Sequence, residues 1–400
     1  MSIKQDRYLL VLYITLLAGF LITTAFYYLS LMTGSEGIAL DLFGGGIDGI
    51  FYWEQALNVA NDRPWVNTSI YPWLIGQVVK LTNIEDVFVI RMFNYLGYIV
   101  LVFFSTKLMD KLIQIDNLNQ LLTNYKYEMK TIVAIILLIY PSLLMNAHSS
   151  IIRDVWIYAL YVIATYLSLK IFFAKENILG STLLLLPTLW LLWEFRNYIF
   201  LSFVLTMAAY FFYRKVLIKG NFRRLILWAI ILFGIYYTFF RTLRIPFVNM
   251  SLVDALQYRV VDEYETAGGS QMWINLNQSN FLLFILNYIY SYIGNMIGPL
   301  PWQISGVSTL IIFVVEAIPM TLILFYIYRK RKLLTASTQF VLLHGFVWFG
   351  MIAITNDNVG TATRLRVSGW LMIVFVFIIV WFKSLCLKKE EKDHVQNIIY

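Results

Sequence analysis

The residues of this chain that are able to do chemistry fall into two sets. Four acids, Asp41, Asp48, Glu54 and Asp62, lie within residues 41–72, DLFGGGIDGIFYWEQALNVANDRPWVNTSIYP, in a chain whose 400 residues are only 14% charged. The second set is made of arginines: Arg63, Arg91, Arg153, Arg196, Arg241, Arg244, Arg259, Arg364 and Arg366, nine of the fifteen in the chain. A guanidinium is a planar fork that grips phosphate or carboxylate at two points, where an ammonium acts as a point charge. Arginines and a few carboxylates around one cavity suit a phosphorylated, lipid-borne substrate. The plainer alternative is that these arginines pair with Asp154, Glu194 or Asp357 and hold loops together. Asp48 has its own alternative, as the cap of a helix beginning at Gly49. Arg153 and Asp154 are either an ion pair that holds a helix or a phosphate ligand and its orienter. His148 is either a base or an ordinary loop histidine. Glu316 falls inside an apolar run, where a lone charge is expensive, and pairs with an arginine or faces a cavity. Histidines stand only at 148, 344 and 394, too scattered for a zinc site. The single cysteine, Cys386, excludes an intramolecular disulfide.

The elements that must position these residues are membrane helices. Hydrophobic residues make up 60% of the chain, and mean hydropathy is +0.70. Apolar runs of about 20 residues recur, each long enough to cross ~30 Å of hydrocarbon as a helix. They are continuous rather than alternating, which excludes a β-barrel. The expected spans are 8–32, 87–106, 131–146, 155–173, 178–193, 198–213, 224–240, 307–328, 335–354 and 366–385. The apolar run 281–297 reads as re-entrant or interfacial. The first run is too long for a signal-peptide core and is expected to stay as a span. The loop 33–85 carries Phe51, Tyr52, Ala56, Leu57 and Ala60 at helical spacing, a helix lying on the membrane surface. A second large outer region is 241–306. The expectation is therefore an all-α polytopic membrane protein, a single integral domain over 1–400. It has about ten crossings by apolar length, with surface and re-entrant helices in the outer loops.

Charge sets the orientation. With both termini cytoplasmic, 15 of the 16 lysines lie on the cytoplasmic side, Lys80 being the exception. The nine arginines above fall outside or at outer span ends. Lysines that obey the positive-inside rule beside arginines that violate it point to a task for the arginines. The same distribution explains the net charge of +8 without nucleic acid.

Several motifs carry a family resemblance. Asp48-Gly-Ile-Phe-Tyr-Trp, then Ala56, Arg63-Pro64-Trp65 and Tyr71-Pro72-Trp73-Leu74, resemble the first outer loop of GT-C glycosyltransferases. These include the protein O-mannosyltransferases and the aminoarabinose transferases of lipid A. Arg91-Met-Phe-Asn94 is similar to that family's Arg-x-x-Asn in the second span. Tyr140-Pro141 and Arg153-Asp154 resemble its third and fourth spans, and Arg364-Leu-Arg366 its late Arg-Tyr segment. The similarity covers residues 1–215 and the final span. The segments GGSQ (268–271) and PLPW (299–302) are similar to parts of bacterial polysaccharide polymerases. One departure stands out: the family's frequent Asp-Glu pair is here Asp48-Gly49. Asp41 or Glu54 supplies the second carboxylate, or none is needed.

The resemblance implies a GT-C-like fold and sugar transfer at the outer face of a bacterial cytoplasmic membrane, for cell-surface polysaccharide or glycoconjugate synthesis. The donor is a polyprenyl-phosphate- or pyrophosphate-linked sugar, and the acceptor a glycan or lipid. It makes Asp48 the leading catalytic carboxylate, with Asp41 and Glu54 as further candidates. Arg91, Arg153, Arg196, Arg364, Arg366 and His148 become substrate-binding candidates. No metal ligand set is expected, although the acids could hold a divalent cation. Expected partners are membrane lipids and other polysaccharide-assembly proteins, with no nucleic acid. The rival class is a transporter or flippase of lipid-linked oligosaccharide, which predicts repeated halves that the sequence does not display.

Overall fold

A computed structural model describes residues 3–40, 46–116, 122–217, 231–244, 250–265 and 271–399. Among them the regular structure is helical, and pairing outside helices is confined to two isolated bridges, Ala39 with Ser150 and Gln271 with Asn358. In chain order the helices are α1 (Ile3–Met32), α2 (Gly46–Ala60), α3 (Ile70–Thr82), α4 (Val87–Ile115), α5 (Lys126–Ile139), α6 (Pro141–His148), α7 (Asp154–Leu169), α8 (Ile178–Phe195) and α9 (Asn197–Leu217). Then come α10 (Ile231–Phe240), α11 (Leu252–Glu265), α12 (Phe281–Ile297), α13 (Val307–Arg329), α14 (Ala336–Thr355), α15 (Val359–Leu365) and α16 (Val367–Ile399).

Seven of these helices are long and apolar enough to cross a membrane, or eight if α5 and α6 form one bent span. This is the architecture of a multi-pass membrane protein. Ten crossings were expected. The runs expected at 198–213 and 224–240 correspond to shorter apolar helices, Asn197–Phe212 and Ile231–Phe240, and residues 224–230 lie outside the described residues. The expected straight span 131–146 is bent by 62° where α5 meets α6. Pro141 is the cause: it has no N–H to give the preceding turn, and its ring clashes with the carbonyl four residues back.

Helix α1 buries mostly small and polar residues and exposes large apolar ones. In α1 the buried positions are Tyr8, Thr15, Gly19, Thr23 and Ser30, while Leu9, Leu10, Tyr13, Ile14, Leu17 and Leu21 are exposed. In lipid the tails are as apolar as leucine, so helices associate through small residues and polar contacts rather than by hiding leucine. Water would select the reverse arrangement.

The chain packs as two compact units. The first comprises Met1–Arg196, Ile323–Val341 and Leu371–Tyr400; the second comprises Asn197–Leu322 and Leu342–Trp370. In the first, α4 packs on α1, α5 and α7, and α2 lies against α3. Gly76 allows the last contact: a Cβ there would come within 2.6 Å of Val59 Cβ and 2.8 Å of the Ala56 carbonyl oxygen. In the second, Met272, Ile274 and Leu276 pack with Tyr237, Leu256, Phe284, Val359 and Ala362.

Candidate functional site

The site forms within the first unit, where the first loop meets the start of α7. Asp48 lies in the first turn of α2. A helix is present where the surface helix was expected, but it begins at Gly46, so Asp48 is inside its first turn and is not the residue before it. A carboxylate there is favoured by the positive end of the helix dipole. Tyr52 follows four residues on, so Asp48 and Tyr52 share one face of α2. Tyr52 is buried and meets Tyr71 edge to face, with ring centroids 5.2 Å apart. Tyr71 donates to Asn94 Oδ1 at 3.1 Å, and Asn94 Nδ2 donates to the Ile152 carbonyl at 3.0 Å. This chain of contacts ties α2 and α3 through α4 to the residues just before α7.

Arg153 and Asp154 sit at the junction. Arg153 immediately precedes α7 and places its guanidinium 5.8 Å from the centroid of the Tyr52 ring. Asp154 is buried at the first position of α7, and its Oδ1 accepts from Arg196 Nη1 at 3.3 Å. Asp154 therefore pairs across helices with Arg196, at the end of α8. Burial pushes the Tyr52 phenol above its ordinary range; Arg153 and then Arg196 oppose that, while Asp48 and Asp154 add to it. All four charges act electrostatically on this one ring. The structure thus brings together Asp48, Arg153 and Arg196, with Asp154 as the anchor of Arg196.

Gly49 stands where the resemblance leads to a second acid, and its surroundings are tight. A Cβ at position 49 would lie 2.9 Å from both Ile38 Cγ2 and Ser150 Oγ. That close approach is maintained by the Ala39–Ser150 bridge, by Leu40 N donating to the Ser149 carbonyl (3.3 Å) and by Ile151 N donating to the Ile38 carbonyl (3.2 Å). A glutamate side chain has no room there. Glu54 does not replace it: it is exposed, and two residues beyond Tyr52 it is turned about 200° around the helix. Asp41 lies outside the described residues. Asp62 is in a surface ion pair with Lys80 at 2.7 Å.

The remaining candidates have structural commitments. Arg91 is 2% exposed and donates from Nε to the Gly37 carbonyl (2.6 Å), from Nη1 to the His148 carbonyl (2.7 Å) and from Nη2 to the Ser149 carbonyl (3.2 Å). Its fork is engaged by backbone, so it braces the first loop against the end of α6 where a substrate contact was expected. His148 is also buried, with its Nδ1 2.7 Å from Thr23 Oγ1 and its ring on Tyr98. The Thr23 hydroxyl also lies 2.9 Å from the Gly19 carbonyl. His148 is a core histidine on this geometry.

In the second unit, Arg366 is fully buried and donates to the Gly298 carbonyl and to Glu316. Glu316 sits in a π-helical turn, Phe313–Ala317, within α13. Arg366 thus neutralises an acid inside an apolar helix and offers no open fork to a phosphate. Arg364, two residues earlier, is half-buried in the last turn of α15. Arg259 is buried and donates to Asp357, to Ser291 Oγ at 3.1 Å and to the Ala353 carbonyl at 2.7 Å. Among the described residues no group of three His, Cys, Asp or Glu side chains gathers as a metal site.

Sequence reasoning passed over Tyr52, Tyr71 and Asn94 as site-forming residues. The four-residue spacing from Asp48 to Tyr52 was the available signal. No family model, curated protein or solved structure matches the chain.

Proposed function

We propose that this protein is a membrane glycosyltransferase or polysaccharide polymerase. It uses a sugar carried on a polyprenyl phosphate or pyrophosphate at the outer face of the cytoplasmic membrane. The observation that carries this reading is the cluster of Asp48, Arg153 and Arg196 around Tyr52, set in a multi-pass helical protein. The resemblance of the first loop to GT-C enzymes supports it.

In this reading the Asp48 carboxylate takes the proton of the acceptor hydroxyl as its oxygen bonds to the anomeric carbon. The anomeric C–O bond to phosphate breaks, and the phosphate leaves with the electron pair. Arg153 and Arg196 offset the negative charge that develops on it. Asp154 holds Arg196, and the Tyr52 ring supports the Arg153 guanidinium by a cation–π contact. Both termini are cytoplasmic.

Asp48→Asn tests the assignment in membranes supplied with radiolabelled polyprenyl-phosphate- or pyrophosphate-linked sugars. Loss of a general base is expected to lower transfer by about 10²–10⁴-fold. Unchanged transfer by a folded variant would remove Asp48 from the chemistry. Single cysteines at 48 and 364, in a Cys386→Ser background, should react with an impermeant thiol reagent added from outside. Labelling only after permeabilisation would reverse the orientation.

A further inference from the structure

We infer that the irregular segment after the second bridge, beginning at Gln271, is a binding strip for a neutral glycan, with Trp273 as its stacking platform. Within Met272–Asn277 burial alternates. Met272, Ile274 and Leu276 are 7%, 4% and 1% exposed and face the core of the second unit, while Trp273, Asn275 and Asn277 face outward. Trp273 is 73% exposed, among the most exposed of the large apolar side chains.

Its backbone is unusual. Trp273 has φ +58°, the left-handed region, which a bulky side chain adopts only when its surroundings force it. The surroundings here do so. Met272 N donates to the Asp357 carbonyl at 2.7 Å, and Ile274 N donates to both Asp357 carboxylate oxygens at 3.2 Å. Asp357 is itself held by Arg259. Both neighbours of Trp273 are therefore pinned to one buried ion pair, and the indole is held out between them. Strained backbone fixed this firmly is a mark of a working position.

The chemistry beside the indole selects the ligand. Asn275 uses its side-chain oxygen to accept from Asn277 N at 2.8 Å, which leaves its amide N–H donors for a ligand, and Asn277 is exposed beside it. From Ala267 to Val315 the sequence contains no charged residue, whereas the candidate phosphate-handling cluster is rich in arginine. Arg241 reaches the end of this strip, but its guanidinium is turned to the Gln278 carbonyl at 2.6 Å and over the Tyr237 ring at 5.2 Å. An exposed indole flanked by amides matches an uncharged polyol, the ring covering the apolar C–H face of a sugar while the amides meet its hydroxyls. The inference rests on the sugar-transfer reading, for which this strip would hold acceptor glycan.

The test uses the purified full-length chain in detergent on an array of bacterial surface-polysaccharide fragments. The wild type should bind neutral fragments with little dependence on salt. Trp273→Ala should reduce that signal about tenfold, Trp273→Phe should retain most of it, and Asn275→Ala with Asn277→Ala should weaken it, in keeping with one stacking contact and its hydrogen bonds. Asp48→Asn should bind like the wild type, which separates this strip from the transfer site. Binding by Trp273→Ala equal to wild type would overturn the inference and assign Trp273 to the membrane interface. Binding only to anionic fragments, or to none, would overturn it as well.

Discussion

Replacing Arg91 by lysine separates a brace from a substrate ligand. Arg91 donates three hydrogen bonds to carbonyl oxygens, at 2.6, 2.7 and 3.2 Å, from a site 2% exposed. Lysine keeps the charge but presents it as a point, without the fork that reaches three acceptors in different directions. It can hold one of these carbonyls well. A hydrogen bond to a charged group contributes about 1.5–3 kcal/mol, and a buried carbonyl left dry costs about 1–3 kcal/mol. Losing one short bond and the longer one gives an expected destabilisation of about 3–5 kcal/mol. The measurement is reversible unfolding in mixed SDS and detergent micelles, followed by tryptophan fluorescence. Polyprenyl-phosphate binding is measured in parallel. Arg153→Lys is the contrast: its guanidinium lies over Tyr52, so it should lose substrate affinity with a smaller change in stability. If Arg91→Lys unfolds within about 0.5 kcal/mol of the parent, the size of an ordinary surface change, and binds the lipid phosphate more weakly, the brace argument fails and Arg91 is a ligand.

Further outcomes follow from packing and burial. Gly49→Ala puts a methyl 2.9 Å from Ile38 and Ser150 and should cost about 1–3 kcal/mol by overpacking. Gly49→Glu should cost more and should lower transfer, although it restores the acid pair of the resembled family; a rise in transfer would show that the loop yields. Lys383→Met should destabilise by about 3–5 kcal/mol, because Lys383 pairs at 3.0 Å with Asp116, whose side chain is 1% exposed and also accepts from Thr335 and Ser337. Lys80→Met removes a pair whose side chains are 45% and 78% exposed and should change stability by about 0–1 kcal/mol. Equal losses in the same unfolding assay would refute the ranking.

Much of the architecture could be read from the chain. The long helices α1, α8, α13 and α14 coincide closely with expected spans, because ~30 Å of hydrocarbon demands a continuous apolar run that is visible in one dimension; α4 starts where expected but continues to Ile115. The surface helix was also visible, through the spacing of Phe51, Tyr52, Ala56 and Ala60. Its start was misplaced by three residues, since the glycines before Asp48 give no periodic signal. The bend at Pro141 was less legible, because a proline within an apolar run reads equally as a kink inside one span or as a break between two.

What the sequence by itself determined is the class of molecule, a helical protein solvated by lipid, and the identity of the charges it keeps despite that solvent. What only the tertiary structure decided is which charge meets which. Arg196 reaches Asp154 across 42 residues, Arg366 reaches Glu316 across 50, and Arg259 reaches Asp357 across 98. Arg91 instead serves three backbone carbonyls. Local spacing governs neighbours one turn apart on a helix. Partners on different helices are set by how those helices pack, and the requirement that a charge in a dry interior find a partner does not say which one. The same packing bears on the glycine after Asp48: the absent side chain leaves room for Ile38 and Ser150 to approach the backbone at position 49.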